Sequence, residues 1–205
     1  MQIMRIFLPI VFCAMIFTAA EAQDIQTITR EGQKHILSEP GVELVGARRP
    51  DVIVVEYFDY NCPYCKKLVP EFQSLLAQDA NVSILYKEWP ILGSISTYAA
   101  ASALAAGWQG KYLAAHDALI RGPRLMGIMQ VDAILQQAGI DMDALKADRI
   151  KHAAEIAKLL TRNDDEAHAL NLDGTPGIVV GRQLVAGTVD ANSLAQLIAI
   201  SRHEK

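Results

Sequence analysis

Cysteine is scarce in this chain, with three among 205 residues. Zinc sites generally draw on two CxxC pairs, or on one pair with nearby histidines. There is no second pair here, and His35, His116, His152, His168 and His203 are scattered without ligand spacing, so no metal is expected. A long basic run is missing too. The net charge of -4 gives no reason to expect nucleic acid or an anionic membrane surface as a partner. Internal repeats and low-complexity linkers are absent, and the length suits one domain, or one domain carrying an insertion. With 51% hydrophobic and 20% charged residues, the chain can bury a sizeable core without a covalent staple.

The longest apolar run, Ile6 to Phe17, is too short for a membrane span. Arg5 precedes it, and Ala20-Glu21-Ala22 follows with small residues where a signal peptidase reads them. Residues 1–22 are therefore read as a secretory signal, which directs the chain to the periplasm or another extracytoplasmic space. Cys13 would be discarded with it. Phe12 is too large to precede a lipoprotein cysteine. The signal carries one charge of each sign, Arg5 and Glu21, so its loss leaves the net charge unchanged.

Residues 23–50 form a polar lead-in, partly helical. VIVVEYF, ending at Phe58, is β-branched and aromatic on both faces, as a central buried strand requires. From Pro63 the apolar spacing becomes helical through Leu68, Val69, Phe72, Leu75 and Leu76, with Pro63 suited to a first helical position. Pro70 falls inside this helix. VSILYKEW, Val82 to Trp89, is a second strand. Between Ile95 and Leu172 the chain is Ala- and Leu-rich, divided into helices by Gly107, Gly122-Pro123 and Gly139. Two short apolar runs then flank Gly181-Arg182, the pattern of a tight hairpin. Asp190 can cap a last helix whose stripe is Leu194, Leu197 and Ile198. Strand, helix, strand, helical block, hairpin and helix together predict a small mixed sheet flanked by helices, with a helical insertion.

Cys62 and Cys65 are the cysteines that remain. An exported protein meets an oxidising compartment, yet a bridge closing so small a loop removes little unfolded-state entropy and is poorly placed as a staple. A redox role fits better. Cys62 falls at the N-cap of the helix opening at Pro63, where unpaired N–H groups and the helix dipole favour an anion, and Lys66 and Lys67 add positive charge nearby. Cys65, a turn further in, would be the more buried, resolving thiol. Glu56 interrupts an apolar strand on the face of Val52 and Val54. Unless paired, a carboxylate there is desolvated and its pKa raised. Lys87 in the second strand is a candidate partner.

EYFDYNCPYC (Glu56 to Cys65), Pro70, KEWPILG (Lys87 to Gly93) and GTPG before the hairpin resemble the DsbA-like thiol–disulfide oxidoreductases of the thioredoxin superfamily. The resemblance runs through nearly all of the mature chain. It implies an α/β thioredoxin-like fold from residues 51–94 and 173–205, with residues 95–172 as an inserted helical domain. It further implies that Pro176 is cis and faces the cysteines, and that Thr175 and Pro176, with Pro63 and Tyr64, meet the substrate chain. A buried Glu56–Lys87 pair would lie beneath Cys65. The redox-active Cys62–Cys65 pair would be the sole cofactor. The partners implied are exported client proteins and a membrane redox protein, DsbB-like or DsbD-like, with the enzyme itself a monomer. Disulfide formation is the leading direction, because only a short segment precedes the first strand. The Pro-Tyr dipeptide and Thr175 also resemble isomerase and reductase branches. A copper(I) carrier using both thiolates is the alternative from another class.

Overall fold

The computed structural model describes residues 25–38 and 44–204; the expected signal and Cys13 lie outside them. In chain order the elements are β1 (Ile25–Thr27), α1 (Arg30–Leu37), β2 (Val45–Gly46), β3 (Val52–Phe58), α2 (Pro63–Gln78), β4 (Val82–Glu88), α3 (Ser94–Ala106), α4 (Tyr112–Arg121), α5 (Ile128–Gln137), α6 (Met142–Lys151), α7 (Ala153–Ala169), β5 (Gly177–Val180), β6 (Gln183–Ala186) and α8 (Ala191–His203). The sheet order is β1-β6-β5-β3-β4-β2. β3 is central, parallel to β4 and antiparallel to β5. Both of its faces are covered, which explains why VIVVEYF shows no polar alternation. Among the described residues no helix is long and apolar enough to cross a membrane.

On one face of the sheet, α2 and α8 bury Leu68, Phe72, Leu194 and Ile198 against Val52, Val54, Ile84 and Ile178. On the other, Ile36 of α1 and Ala167 of α7 pack on Val55, Tyr57, Leu85 and Trp89. A third cluster belongs to the helices after β4 and reaches Phe58, Cys62 and Cys65. This is a thioredoxin-like mixed sheet flanked by helices, with a helical block between β4 and β5. The end of that block, α7, lies against the sheet: Trp89 Nε1 donates to Asp164 Oδ1 at 2.8 Å.

The lead-in holds α1 as expected, together with two edge strands, β1 and β2, that the sequence pattern does not announce. They are three and two residues long, too short for any periodicity to register. The hairpin turns at Gly181, whose φ of 60° suits glycine. A Cβ there would also drive into Ser201 of α8. Asp190 caps α8, its Oδ1 accepting from the Ser193 amide at 2.7 Å, and Leu194, Leu197 and Ile198 form the buried stripe.

Candidate active site

β3 ends at Phe58, and the turn that follows delivers Cys62 to the N-cap of α2, with Pro63 in the first helical turn. Several bonds fix this turn. The Cys62 amide donates to the Asp59 carbonyl at 3.0 Å. Buried Asp59 accepts from the Asn61 amide at 2.7 Å and, through its other oxygen, from the Leu92 amide at 2.8 Å. Asn61 exchanges a pair of bonds with the Leu125 backbone, at 3.2 and 2.7 Å. The CPYC turn is thereby tied to the loop after β4 and to the loop after α4. Asp59 and Asn61 carry no signal of this kind in the sequence, since their partners lie far along the chain.

Both cysteines are free and buried, and they differ sharply. Cys62 Sγ accepts from the Cys65 amide at 3.4 Å, and its thiol hydrogen points at the Thr175 carbonyl oxygen, 3.1 Å away. The pKa of Cys62 is lowered to about 6. The largest cause is a hydrogen bond from the Cys65 side chain; burial opposes it, and the Thr175 side chain and the backbone of Cys65 and Tyr64 assist it. Thr175 thus offers a carbonyl to the thiol and a donor to the thiolate. Burial pushes the Cys65 thiol far up, reinforced by its bond to Cys62 and by the charges of Glu56 and Cys62. The arrangement can hold an anion on Cys62 and a proton on Cys65.

Thr175–Pro176 is a cis peptide and lies beside Cys62. Pro63 is exposed, and Tyr64 is 55% exposed, with Lys67 Nζ 5.3 Å from its ring centre. Lys67 therefore sits over Tyr64. Lys66 turns away from the sulfurs and donates to the carbonyls of Leu119, Ile120 and Gly122, at 3.1, 3.0 and 2.9 Å, closing the C-terminal end of α4. One ammonium thus fastens the catalytic-type helix to the inserted block. Lys66→Met should lower stability by about 1–3 kcal/mol, the range for lost charged hydrogen bonds. Denaturant unfolding would show it, and an unchanged midpoint would mean that solvent satisfies those carbonyls equally well.

Glu56 is buried, as expected of an isolated carboxylate in that strand, but its expected partner is elsewhere. In the parallel β3–β4 register Glu56 stands opposite Tyr86, and Lys87 stands opposite Tyr57. Successive residues of a strand point to opposite faces, so Lys87 projects to the far side of the sheet. There, fully buried, its Nζ bonds Glu166 Oε2 at 2.6 Å, and the same oxygen accepts from Tyr57 at 3.0 Å. Arg162 Nε adds a bond to Glu166 Oε1 at 2.9 Å. The Glu56–Lys87 pair is therefore replaced by a Lys87–Glu166 pair behind the sheet. Sequence reading could not have found Glu166, which is on α7.

On the cysteine side Glu56 has another carboxyl for company, Glu88. Glu88 Oε1 accepts from Tyr60 at 2.7 Å and from Tyr112 at 3.1 Å. His116 Nδ1 lies 3.2 Å from the Tyr60 hydroxyl, and its ring stacks on Tyr86 with centres 4.0 Å apart. Burial lowers the His116 pKa to about 3, so the ring is neutral. The buried layer beneath the cysteines is thus two carboxyls, three tyrosines and a neutral imidazole.

Residues 53–199 match the model of the DSBA-like thioredoxin domain. A thioredoxin-like oxidoreductase from Silicibacter pomeroyi DSS-3 superposes with a TM-score of 0.80 at 37% identity, over 86% of this chain and 99% of that one. The thiol-disulfide exchange protein alpha-DsbA2 of Wolbachia pipientis gives 0.77 at 25% identity, over 83% and 91%. Among curated proteins, the Na(+)/H(+) antiporter NhaA 1 of Salinispora arenicola is 28% identical over 158 residues. This chain spans about a quarter of the length of the curated relatives it matches, 24% in each case. The family match covers most of the chain, including both cysteines, the cis proline and the hairpin. The chain belongs to the DSBA-like thioredoxin family of thiol–disulfide oxidoreductases.

Proposed function

We propose that this chain is an exported enzyme that forms disulfides in other exported proteins, with the Cys62–Cys65 pair as its only cofactor. The observation that carries the reading is the opposed character of the two sulfurs: Cys62 is lowered to about 6 at the start of α2, while burial keeps Cys65 a thiol.

In the oxidised enzyme a client thiolate attacks Cys62 Sγ, the sulfur nearer the Thr175–Pro176 loop. The Cys62–Cys65 bond breaks, a client–Cys62 bond forms, and Cys65 leaves with the electron pair. Its high proton affinity means that it must take a proton at once, and Glu56, which burial holds well above the carboxylate range, is the nearest buried acid. A second client thiolate then attacks the client sulfur, a client disulfide forms, and Cys62 departs as a stabilised thiolate. The client loses two electrons and the enzyme's disulfide gains them. The Thr175 backbone, followed by a residue without an N–H, is offered to an extended client segment, and Pro63 and Tyr64 line its approach. Lys87, paired behind the sheet, has no part in these steps. A membrane redox partner would reoxidise the pair.

The proposal includes removal of residues 1–22, a monomeric enzyme, and the division into residues 51–94 and 173–205 with 95–172 inserted. Alkylation trapping in cells decides direction and compartment together. The expected result is an oxidised pair, in extracytoplasmic protein beginning at Gln23. A reduced pair there would make the chain an isomerase or reductase, and retention of Cys13 in the mature chain would refute export by cleavage. Copper(I) dependence of client oxidation, seen as loss of activity with a copper chelator, would favour the carrier reading.

A further inference from the structure

Glu56 and Glu88 share one face of the β3–β4 pair, because Glu56 is in register with Tyr86 and Phe58 with Glu88. Residues two apart on neighbouring strands lie roughly 7–8 Å from each other at the backbone, within reach of long side chains. Both carboxyls are buried, at 3% and 1% exposure. Each has one oxygen without a hydrogen-bond partner, Glu56 Oε1 and Glu88 Oε2. Neither has a lysine or arginine within ion-pair distance among the described residues, since Lys87 points to the other face. Two such groups cannot both ionise readily in a low-dielectric site. They differ in one respect. Glu88 is held by the hydroxyls of Tyr60 and Tyr112, whereas the Glu56 oxygen has no donor.

We propose that Glu56 and Glu88 work as an unequal pair, in which Glu88, seated on Tyr60 and Tyr112, takes the negative charge and Glu56 keeps the proton that Cys65 needs. The inference rests on the exchange chemistry proposed above and adds Glu88 as a positioning residue acting through Glu56. The groups facing the pair are Asp59 and Tyr60 from the turn before α2, Cys62 and Cys65 from α2, Tyr86 from β4, and Tyr112 and neutral His116 from α4. Asp117 and Arg121 act on this layer from the exposed side of α4. Burial pushes Glu88 up to about 8, with Tyr60 and Tyr112 holding it back and Asp59 adding to the rise. Burial also raises Glu56, and the charges of Cys62 and Glu88 raise it further. Glu88 is thus the first of the two to lose its proton, and once ionised it opposes ionisation of Glu56. In the exchange step the Glu56 O–H bond breaks and the Cys65 S–H bond forms, leaving the charge on the carboxyl pair.

The test is a carbon-13 NMR titration of the Glu56 carboxyl in the whole protein, run alongside the pH profile of client oxidation. Glu88→Gln keeps an oxygen for both tyrosines and removes the charge. It should lower the Glu56 midpoint by about one unit or more and move the alkaline limb of the profile down with it. Tyr112→Phe, which removes one donor from Glu88, should act in the same direction and less strongly; it also serves if Glu88→Gln fails to fold. In Glu56→Gln the further change Glu88→Gln should leave the profile where it is. A Glu56 midpoint unmoved in both variants, or a uniform loss of rate without a shifted profile, overturns the pairing. A shifted Glu56 midpoint in a protein with no exchange activity would uphold the pairing and sink the proposed function instead.

Discussion

Cys62→Ser is expected to reduce thiol–disulfide exchange to the uncatalysed background, and Cys65→Ser to trap client proteins as mixed disulfides on Cys62. The two sulfurs are neighbours on one helix turn, yet their surroundings give them separate tasks. At pH 7 a group with pKa about 6 is about nine-tenths thiolate, against about one-thirtieth for an ordinary cysteine near 8.5. Cys62 is therefore both the sulfur that attacks and the sulfur that leaves easily. Cys65, pushed far up by burial, attacks only when a base relieves it of its proton. Without Cys65 nothing inside the enzyme resolves the Cys62 mixed disulfide, and the complexes should persist on non-reducing gels. Complexes accumulating in Cys62→Ser instead would reverse the assignment.

The second large effect is thermodynamic. A thiolate stabilised in the folded protein stabilises the reduced state, and the sign follows from linkage. The folded pKa of Cys62 lies below the unfolded value, so this stabilisation is fully present above about pH 8.5 and is lost as pH falls through about 6. Across that window it amounts to roughly 3 kcal/mol, and at pH 7 to about 1.4 kcal/mol. The latter corresponds to about 30 mV in the potential of a two-electron couple. Thioredoxin, with its cysteine near about 7 and a potential near about -270 mV, and DsbA, near about 3.5 and about -120 mV, bracket this chain. Equilibration with glutathione buffers should give a potential between the two. Unfolding of the oxidised and reduced proteins by guanidinium should show the balance moving towards the reduced form as pH rises from 6 to 8.5. A potential at or below thioredoxin's, or a stability difference flat with pH, would place the protein among reductants.

Much of this was legible in the sequence, and what was missed has a physical pattern. The helix starting at Pro63, the strand before it, the hairpin at Gly181 and the Asp190 cap are each set by neighbours in the chain, so local chemistry reveals them. The burial of Glu56 was legible for the same reason. Lys87 was misplaced because pairing register decides which of two adjacent residues faces a given side, and in KEW a shift of one exchanges Lys87 for Glu88. A strand buried on both faces gives no polar alternation to fix that register. Glu166, Tyr112 and His116 were out of reach because each arrives from the helical block, and nothing near them in sequence reports a partner scores of residues away. The edge strands β1 and β2 owe their existence to β6 and β4 rather than to their own two or three residues.

The claim on which everything else depends is that Cys62 is a thiolate at neutral pH because of where α2 begins. Ultraviolet absorbance of the reduced protein against pH reads it directly. The expected result is one thiolate titrating with a midpoint near about 6, absent from Cys62→Ser, while Cys65 stays silent through the neutral range. A midpoint near the free-thiol value of about 8.5, or a low midpoint that survives in Cys62→Ser, would contradict it.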